Sequence, residues 1–441
     1  MPILRTITLG CKVNQYETEY VREGLVRLGY RDAREGEAAD LCVVNTCTVT
    51  VEGEAKSRKL IRQLARQNPR AEIVVMGCYA TRAAEEVARL PGVAEVITDK
   101  RRLPEWLAGR GLIVVPTGIS AFGTRHRAYV KVQDGCQMGC SYCIIPSVRP
   151  VLWSRPVEEV LAEVRRLVEN GHREIVLTGI HLGHYGLEAR GGGSDEDSAT
   201  ESGPASDRLE VCRTGLACLV ERIAALEGEF RVRLSSLEAA EVTPELLAVM
   251  RENPDRVCPH LHISMQSGSE AVLRRMRRRW PASRFIQRCR EVREALDQPA
   301  LTTDVIVGFP GETDEDFAAT CRAVEEAGFS KLHIFRFSPR QGTAAADMPD
   351  RVPGQIQQER ATELARIGDR LRQSYFESLS GRPLQVLVET PSENGPDMLS
   401  GTSDRYAPVE VAGDREMIGR FARVIAGPVV EGRIRAASLL K

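Results

Sequence analysis

The chain predicts an α/β fold in three parts. A small doubly wound parallel-sheet domain comes first, a β/α partial barrel follows, and a small antiparallel β-barrel closes the chain. Three patterns carry this expectation: apolar runs alternate with helical patterns through the first hundred residues, the alternation repeats at larger scale to about residue 337, and the last sixty residues switch to short strands separated by Gly, Pro, Asp and Asn. Strands separated by helices imply parallel pairing with right-handed crossovers, whereas short strands parted by turn residues imply antiparallel pairing.

The 441 residues suit about three domains at roughly 150 residues each. With 42% apolar and 27% charged residues, the composition is that of a globular chain able to build sizeable cores. No apolar run approaches the roughly 18 residues of a membrane helix. The opening MPILRTITLG reads as a strand and has no basic leader. Neither a membrane partner nor a secretory signal is expected, and the expected location is cytoplasmic. The net charge of −1 gives no overall attraction to nucleic acid.

Residues 1–115 form the first expected domain, with strands at 3–9, 41–45 and 73–77 and helices at 17–28, 54–67 and 82–90. A linker follows at 116–124. The core is expected over residues 122–352, with strands at 128–133, 174–178, 230–235, 260–265, 303–308 and 331–337, and helices such as 157–169 and 315–327 between them. In such a barrel, functional residues sit at the carboxyl ends of strands. Residues 191–207 contain 4 Gly, 4 Ser, 5 acidic residues and no Val, Ile, Leu or Phe, so a disordered insertion is expected there. A connecting helix is predicted at 353–380. The barrel at 381–441 is expected to use strands at 384–390, 406–411, 417–425 and 430–434.

Twelve cysteines are too few for a disulfide scaffold of this length, and seven of them precede residue 150. The densest group is Cys136-Gln-Met-Gly-Cys140-Ser-Tyr-Cys143, just after the first core strand. Three thiolates this close repel unless a cation holds them. A closed structural zinc site takes four protein ligands, and the nearest further candidates are only His126 and His172. A [4Fe–4S] cube held by three cysteines instead leaves one iron open to a small molecule. Cys11, Cys47 and Cys78 form a second set. Each directly follows a predicted parallel strand, so all three should emerge at the carboxyl edge of one sheet, where such sheets bind ligands. Separations of 36 and 31 residues would then become neighbours in space, again suiting a cluster with one open iron. Cys42, Cys212, Cys218, Cys258, Cys289 and Cys321 are expected to be small core residues without chemistry.

The C-x3-C-x2-C run resembles the radical S-adenosylmethionine (SAM) superfamily. That resemblance implies that the open iron binds the amino and carboxylate groups of SAM, which one electron cleaves to methionine and a 5′-deoxyadenosyl radical. It also implies cofactor-binding positions. Tyr142 matches the aromatic that packs the adenine, and Thr178 and Gly179 end the second strand near the SAM amine. Ile306 and Gly308 lie on the strand resembling the adenine-binding one, with Asp304 in place of its first Gly. Glu238 and Gln266 close two other strands and are expected to meet SAM or substrate, against the plainer reading of loop polarity.

Two three-cysteine sets followed by a small barrel resemble the methylthiotransferases over nearly the whole chain. The blocks that carry this are Leu9-Gly-Cys-Lys-Val-Asn-Gln-Tyr-Glu-Thr-Glu19, Asn45-Thr-Cys-Thr-Val49, Gly77-Cys-Tyr79, Gln266-Ser-Gly-Ser269 and Val307-Gly-Phe-Pro-Gly-Glu-Thr313. The tail is similar to the RNA-binding TRAM module. Within the family, Thr178-Gly-Ile-His-Leu-Gly-His-Tyr-Gly186 and Lys12-Val-Asn-Gln-Tyr16 resemble the branch acting on N6-threonylcarbamoyladenosine at tRNA position 37.

The family implies catalytic and cluster-holding roles for Cys11, Cys47 and Cys78 (auxiliary cluster) and for Cys136, Cys140 and Cys143 (radical cluster). It implies two [4Fe–4S] clusters and two SAM molecules per turnover, with sulfur and methyl delivered together to adenine C2. The implied partners are the tRNA anticodon stem-loop, a reductant such as flavodoxin or ferredoxin, and a sulfur donor. His181 and His184 are candidates for substrate recognition or plain loop residues. Residues 272–294, with nine Arg against two Glu, and the tail residues Arg405, Arg420, Arg423, Arg433 and Arg435 are candidates for phosphate contacts. The alternatives are a family member acting on isopentenyladenosine or a ribosomal protein, an RNA-binding iron–sulfur electron carrier, and a zinc-stabilised RNA-binding protein.

Overall fold

The computed structural model describes residues 1–187, 215–395 and 397–439. The expected insertion at 191–207 and Cys212 lie outside the described residues. The chain divides into two compact units, one of residues 1–124, 129–170 and 338–346, the other of residues 125–128, 171–337 and 347–441.

The first unit is built on a five-stranded parallel sheet. Its strands are β1 (Ile3–Thr8), β2 (Arg31–Asp32), β3 (Leu41–Thr46), β4 (Glu72–Gly77) and β5 (Val93–Val96), in the order β2-β1-β3-β4-β5. β3 is buried along its whole length, as a strand covered on both faces requires. Its residues Cys42 and Val44 pack with Ile61, Leu64, Ile73 and Val75 in one core. The first helix runs from Lys12 to Arg27 and the second from Val51 to Gln67, where Thr50 caps the helix by accepting a hydrogen bond from the Gly53 N–H at 3.0 Å. The single helix expected at 82–90 is two short ones, Cys78–Arg82 and Ala84–Ala88, because Ala83 leaves helical geometry at φ −137°, ψ 53°. β6 (Arg127–Asp134) runs into this unit and pairs antiparallel with the short β7 (Trp153–Ser154).

The second unit carries the remaining core strands: β8 (Glu174–Gly179), β9 (Arg231–Leu234), β10 (Ser236–Leu237), β11 (His260–Ile263), β12 (Ala300–Val307) and β13 (Lys331–Arg336). β8 pairs parallel with β9, and β10-β11-β12-β13 form a parallel sheet. The helix Gly354–Ser378 then leads to a closed barrel of β14 (Pro383–Pro391), β15 (Met398–Ser403), β16 (Pro408–Ala412), β17 (Phe421–Val430) and β18 (Arg433–Leu439). All barrel pairings are antiparallel except β16 with β18.

One expected barrel strand, 430–434, is broken by a hairpin turn at Glu431-Gly432, with Val430 ending β17 and Arg433 and Ile434 opening β18. Glu431 and Gly432 sit at φ 50° and 72°, the double left-handed geometry that a two-residue hairpin needs, so the chain reverses there rather than extending. β15 is not among the expected strands. Its sequence Met-Leu-Ser-Gly-Thr-Ser is small and polar, but Leu399, Gly401 and Ser403 alternate inward.

The barrel is fastened to the core strands of its own unit through one carboxylate. Glu174, fully buried, takes Arg127 at 2.7 Å, Arg231 at 2.6 Å and Arg233 at 2.9 Å. The surplus positive charge meets barrel carbonyls: Arg231 donates to Gln385 and Thr402, and Arg233 donates to Ser403 and Asp404, at 2.6–3.0 Å. Burial alone would raise the Glu174 carboxyl, yet the guanidiniums of Arg233, Arg127 and Arg231 hold it well below the usual carboxylate range.

Two outcomes follow from this geometry. Glu174→Gln should lower stability by about 3–5 kcal/mol, because it leaves buried guanidiniums unpaired; a thermal melt with limited proteolysis should show a lower midpoint and earlier release of the barrel, and an unchanged melt would contradict the fastening. Gly77→Ala should cost more than about 2 kcal/mol. Gly77 sits at φ 101°, and an added Cβ would lie 2.3 Å from the Thr46 carbonyl. Chemical denaturation measures that loss.

Candidate functional site

The register of the first sheet decides where the first cysteine set emerges. Thr46 pairs with Gly77, and Thr8 pairs with Asn45. Cys47 and Cys78 therefore leave adjacent strands side by side. The β1 end continues alongside, with the Leu9 N–H donating to the Asn45 carbonyl at 2.8 Å, and Cys11 then opens the first helix. Gly10 turns the chain at φ 107°, and a Cβ placed there would meet the Cys47 Sγ at 3.3 Å, so only glycine lets the Cys11 loop come this near.

Burial pushes the Cys11 and Cys47 thiols up from their ordinary value, and nearby Cys78 pushes the same way. Thiolates are disfavoured here without an added cation. The surroundings already lean cationic. Arg149 donates through Nε to the Cys78 Sγ at 3.4 Å, and the Arg340 charge acts on Cys47. Arg340 is held by Glu54, which also takes Arg82 at 2.6 Å. Among the described residues, the only three donor atoms of His, Cys, Asp or Glu lying within 4.8 Å of one another belong to His181, His184 and Glu241. Three thiols at one sheet edge beside cationic guanidiniums fit an iron–sulfur group with one open iron better than structural zinc, which takes four protein ligands.

The second set lies in the loop after β6. Gly135 at φ 85° passes so close to the Val151 carbonyl that a Cβ would lie 2.0 Å from it. The Cys136 N–H donates to the Arg149 carbonyl at 3.1 Å, the Cys143 N–H to the Cys140 carbonyl at 3.1 Å, and the Ala345 N–H to the Ser141 carbonyl at 2.8 Å. Cys136, Cys140, Cys143 and Tyr142 are all partly exposed, so the loop is pinned by its backbone while the side chains remain reachable. Cys42, Cys258 and Cys289 are buried, as small core residues should be.

Beneath both sets lies a feature that sequence reasoning missed. Glu17, Lys131, Asp134 and Arg149 form a buried four-charge cluster. Lys131 Nζ reaches Glu17 at 2.8 Å and Asp134 at 2.5 Å, and Arg149 Nη1 reaches the same two carboxylates at 2.8 Å each. Against a desolvation that would raise it, Arg149 and Lys131 hold the Glu17 carboxyl down at about 2. A signal for it exists in the sequence: Lys131 sits between Val130 and Val132 in a strand that is buried from Val130 to Asp134, and it is one of only seven lysines.

In the second unit, the expected cofactor positions divide. Thr178 lies buried near the end of β8, which Gly179 closes. Gln266 adopts φ 70°, a strained value for a non-glycine, and bridges β12: its N–H donates to the Asp304 carbonyl and its carbonyl accepts from the Ile306 N–H, both at 2.9 Å. Gln266, Asp304 and Ile306 are therefore brought together. Asp304 lies 3.4 Å from His262 Nε2. Gly308, at φ 72°, would carry a Cβ 2.3 Å from Gln357 Cγ. Glu238 is engaged by Arg278, a member of the Arg-rich stretch. Burial raises its carboxyl above the ordinary value even with that guanidinium beside it. His181 and His184 stack at 3.6 Å between centroids and share the Glu241 carboxylate, whose other oxygen accepts from the Glu238 N–H at 2.8 Å.

The chain is similar to known proteins over most of its length. Residues 130–324 match the radical SAM superfamily, and residues 4–99 match a family described only as uncharacterized protein family UPF0004. Two relatives named threonylcarbamoyladenosine tRNA methylthiotransferase MtaB are each 37% identical. The one from Bacillus subtilis covers 95% of this chain and 92% of its own length, and the one from Thermotoga maritima covers 96% and 94%. A tRNA-2-methylthio-N(6)-dimethylallyladenosine synthase from Moorella thermoacetica is 32% identical over 95% of this chain and 94% of its own. Among solved structures, the radical SAM methyltransferase TsrM from Kitasatospora setae matches at a TM-score of 0.53 with 13% identity, covering 78% of this chain and 75% of that one, a likeness of fold alone. The chain belongs to the MtaB-type methylthiotransferase family of radical SAM enzymes.

Proposed function

We propose that this enzyme transfers a methylthio group to C2 of N6-threonylcarbamoyladenosine at position 37 of tRNA, beside the anticodon. The observation that carries the reading is the 37% identity, over 95% of the chain, to a relative named for that nucleoside. The residues after β8 favour the same substrate over dimethylallyladenosine. Two imidazoles held by one carboxylate, His181 and His184 on Glu241, offer N–H donors to a hydroxyl or a carboxylate of the substrate.

In this reading Cys11, Cys47 and Cys78 hold an auxiliary [4Fe–4S] cluster, and Cys136, Cys140 and Cys143 hold the radical-generating one. When bound, the clusters and two SAM molecules supply the radical, the methyl group and the sulfur. The chain's own work is placement. Gly10 and Gly77 set the first three thiols at one sheet edge, and Gly135 sets the loop of the second three. Tyr142, Thr178, Gly179, Glu238, Gln266, Ile306 and Gly308 are the proposed SAM contacts.

We assign the four segments 1–115, 122–352, 353–380 and 381–441 to the auxiliary-cluster domain, the radical core, a connector and an RNA-binding barrel. The anticodon stem-loop is the proposed docking partner. A one-electron donor of the flavodoxin or ferredoxin type and a sulfur donor complete the reaction, in the cytoplasm. No described helix is long and apolar enough to cross a membrane.

The deciding measurement is liquid chromatography with mass spectrometry of tRNA nucleosides from cells with and without the gene. Loss of methylthiolated threonylcarbamoyladenosine is expected, and an unchanged level removes this substrate. Cys11→Ala should leave SAM cleavage within about twofold while methylthio transfer falls at least about 100-fold, in line with the loss of a metal-site residue. Equal loss of both activities would show that the two cysteine sets do not divide the work in this way.

A further inference from the structure

Arg149 stands where the two cysteine sets meet, and no role in the proposed reaction yet falls to it. Its backbone carbonyl accepts from the Cys136 N–H at 3.1 Å. Its guanidinium is nearly fully buried and every edge is used. Nε faces the Cys78 Sγ at 3.4 Å, and Nη1 donates to Glu17 and Asp134 at 2.8 Å. Nη2 donates to Glu17 at 2.9 Å and to Asn14 Oδ1 at 3.2 Å. That Asn14 oxygen lies 3.8 Å from the Cys11 Sγ, and the Asn14 amide nitrogen donates to the Leu9 and Thr46 carbonyls at 2.9 and 3.1 Å. One residue therefore touches the backbone of the Cys136 loop, one thiol of the other set directly, and a second thiol through a single amide.

The charge count around it is informative. Glu17 and Asp134 contribute −2, Lys131 and Arg149 contribute +2, and the buried Lys100, which acts on Cys78, Glu17 and Asp134, adds a further positive charge. Its distribution is not even: the guanidinium is the member that faces sulfur. Buried groups feel one another through a low dielectric, where a cation beside a sulfur-ligated centre stabilises the added negative charge of its reduced form. Lysine in the same place would keep the charge but lose the planar fork that reaches four partners at once.

We propose that Arg149 is a positioning residue that ties the Cys136 loop to the Cys11/Cys47/Cys78 set and, through its contact with the Cys78 sulfur, supplies a cation that eases electron acceptance at that set. The inference rests on the reading of both sets as iron–sulfur sites. It goes beyond that reading by naming the link between them and the group that tunes one of them.

The test uses the full chain with Cys136, Cys140 and Cys143 changed to Ala, so that only the first set can carry a cluster. The backbone N–H at position 136 is kept, and with it the bond to the Arg149 carbonyl. After anaerobic reconstitution with iron and sulfide, the midpoint potential is read by an electron paramagnetic resonance titration. Arg149→Gln should make one-electron reduction about tenfold less favourable, a shift of about 59 mV to lower potential. Arg149→Lys should restore most of that shift. Glu17→Gln removes a neighbouring negative charge and should move the potential the opposite way.

Glu17→Gln and Arg149→Lys keep the test decisive if Arg149→Gln fails to fold. Unchanged potentials and line shapes in loaded variants would overturn the proposal. So would a shift of the same sign in Arg149→Gln and Glu17→Gln, which would mark mere loosening of the site. Absence of any iron in the parent triple-alanine protein is a separate result: it defeats the cluster reading of Cys11, Cys47 and Cys78, and the Arg149 role with it.

Discussion

A parallel sheet sends the ends of its strands to one edge, and the first unit uses three such ends. Cys11, Cys47 and Cys78 are far apart in the chain, yet Thr46 pairs with Gly77 and Thr8 with Asn45, so the segments that follow must emerge together. A shift of one residue in that register would turn each flanking side chain to the opposite face of the sheet. The fully buried β3 guards against such a shift, because both of its faces are fixed by packing. The chemistry of the cysteines is thus inherited from a hydrophobic alignment some distance beneath them.

The same unit buries four charges directly below its thiols. Networks of this kind seldom add net stability, since desolvation consumes most of the Coulombic gain and apolar residues of similar volume fill such space as well. Their presence needs another reason. The second unit supplies an instructive contrast. There Glu174 collects three guanidiniums and directs their surplus charge onto barrel carbonyls, which is a mechanical use. Below the cysteines, the guanidinium of Arg149 ends instead on sulfur and on the amide beside a second sulfur. Charge placed against a reactive atom acts on that atom's chemistry more than on the fold.

What the sequence reveals and what it hides follow from the range of the interactions. The ends of β1, β3 and β4 are legible because an apolar run stops at a Gly or Thr just before cysteine, and both signals are local. The short β5 is not legible, because four residues with Glu95 in the middle carry little periodicity. β15 is hidden by its Ser, Gly and Thr content, since its pattern is completed only by partners in β14 and β16. The turn at Glu431-Gly432 reads as strand until φ is known. At the site, Cys136, Cys140 and Cys143 stand out by spacing, and Cys11, Cys47 and Cys78 by their place directly after apolar runs. Glu17, Asn14 and Arg149 do not, because their meeting depends on helix phase and loop path across more than a hundred residues of chain. Gln266 is legible as a polar strand end, but its left-handed backbone is not.

The arginine-rich stretches show why a nearly neutral chain is compatible with an RNA substrate. Arg278 is occupied by Glu238, Arg275 by Asp316, and Arg405 by Asp404 and Asp297. These guanidiniums serve the fold. Arg274 and Arg277 remain exposed, as do Arg420 and Arg433 on or beside the barrel strands, whereas the exposed Arg423 and Arg435 are paired with Asp255 and Glu410. Phosphate contacts draw on exposed guanidiniums, whatever the total charge, and each such contact adds affinity that weakens with salt. Counting every arginine in residues 272–294 therefore overstates the cationic face, while the net charge of the whole chain hides it. The quantity that matters for docking tRNA is the charge left at the surface after the internal carboxylates have taken their partners.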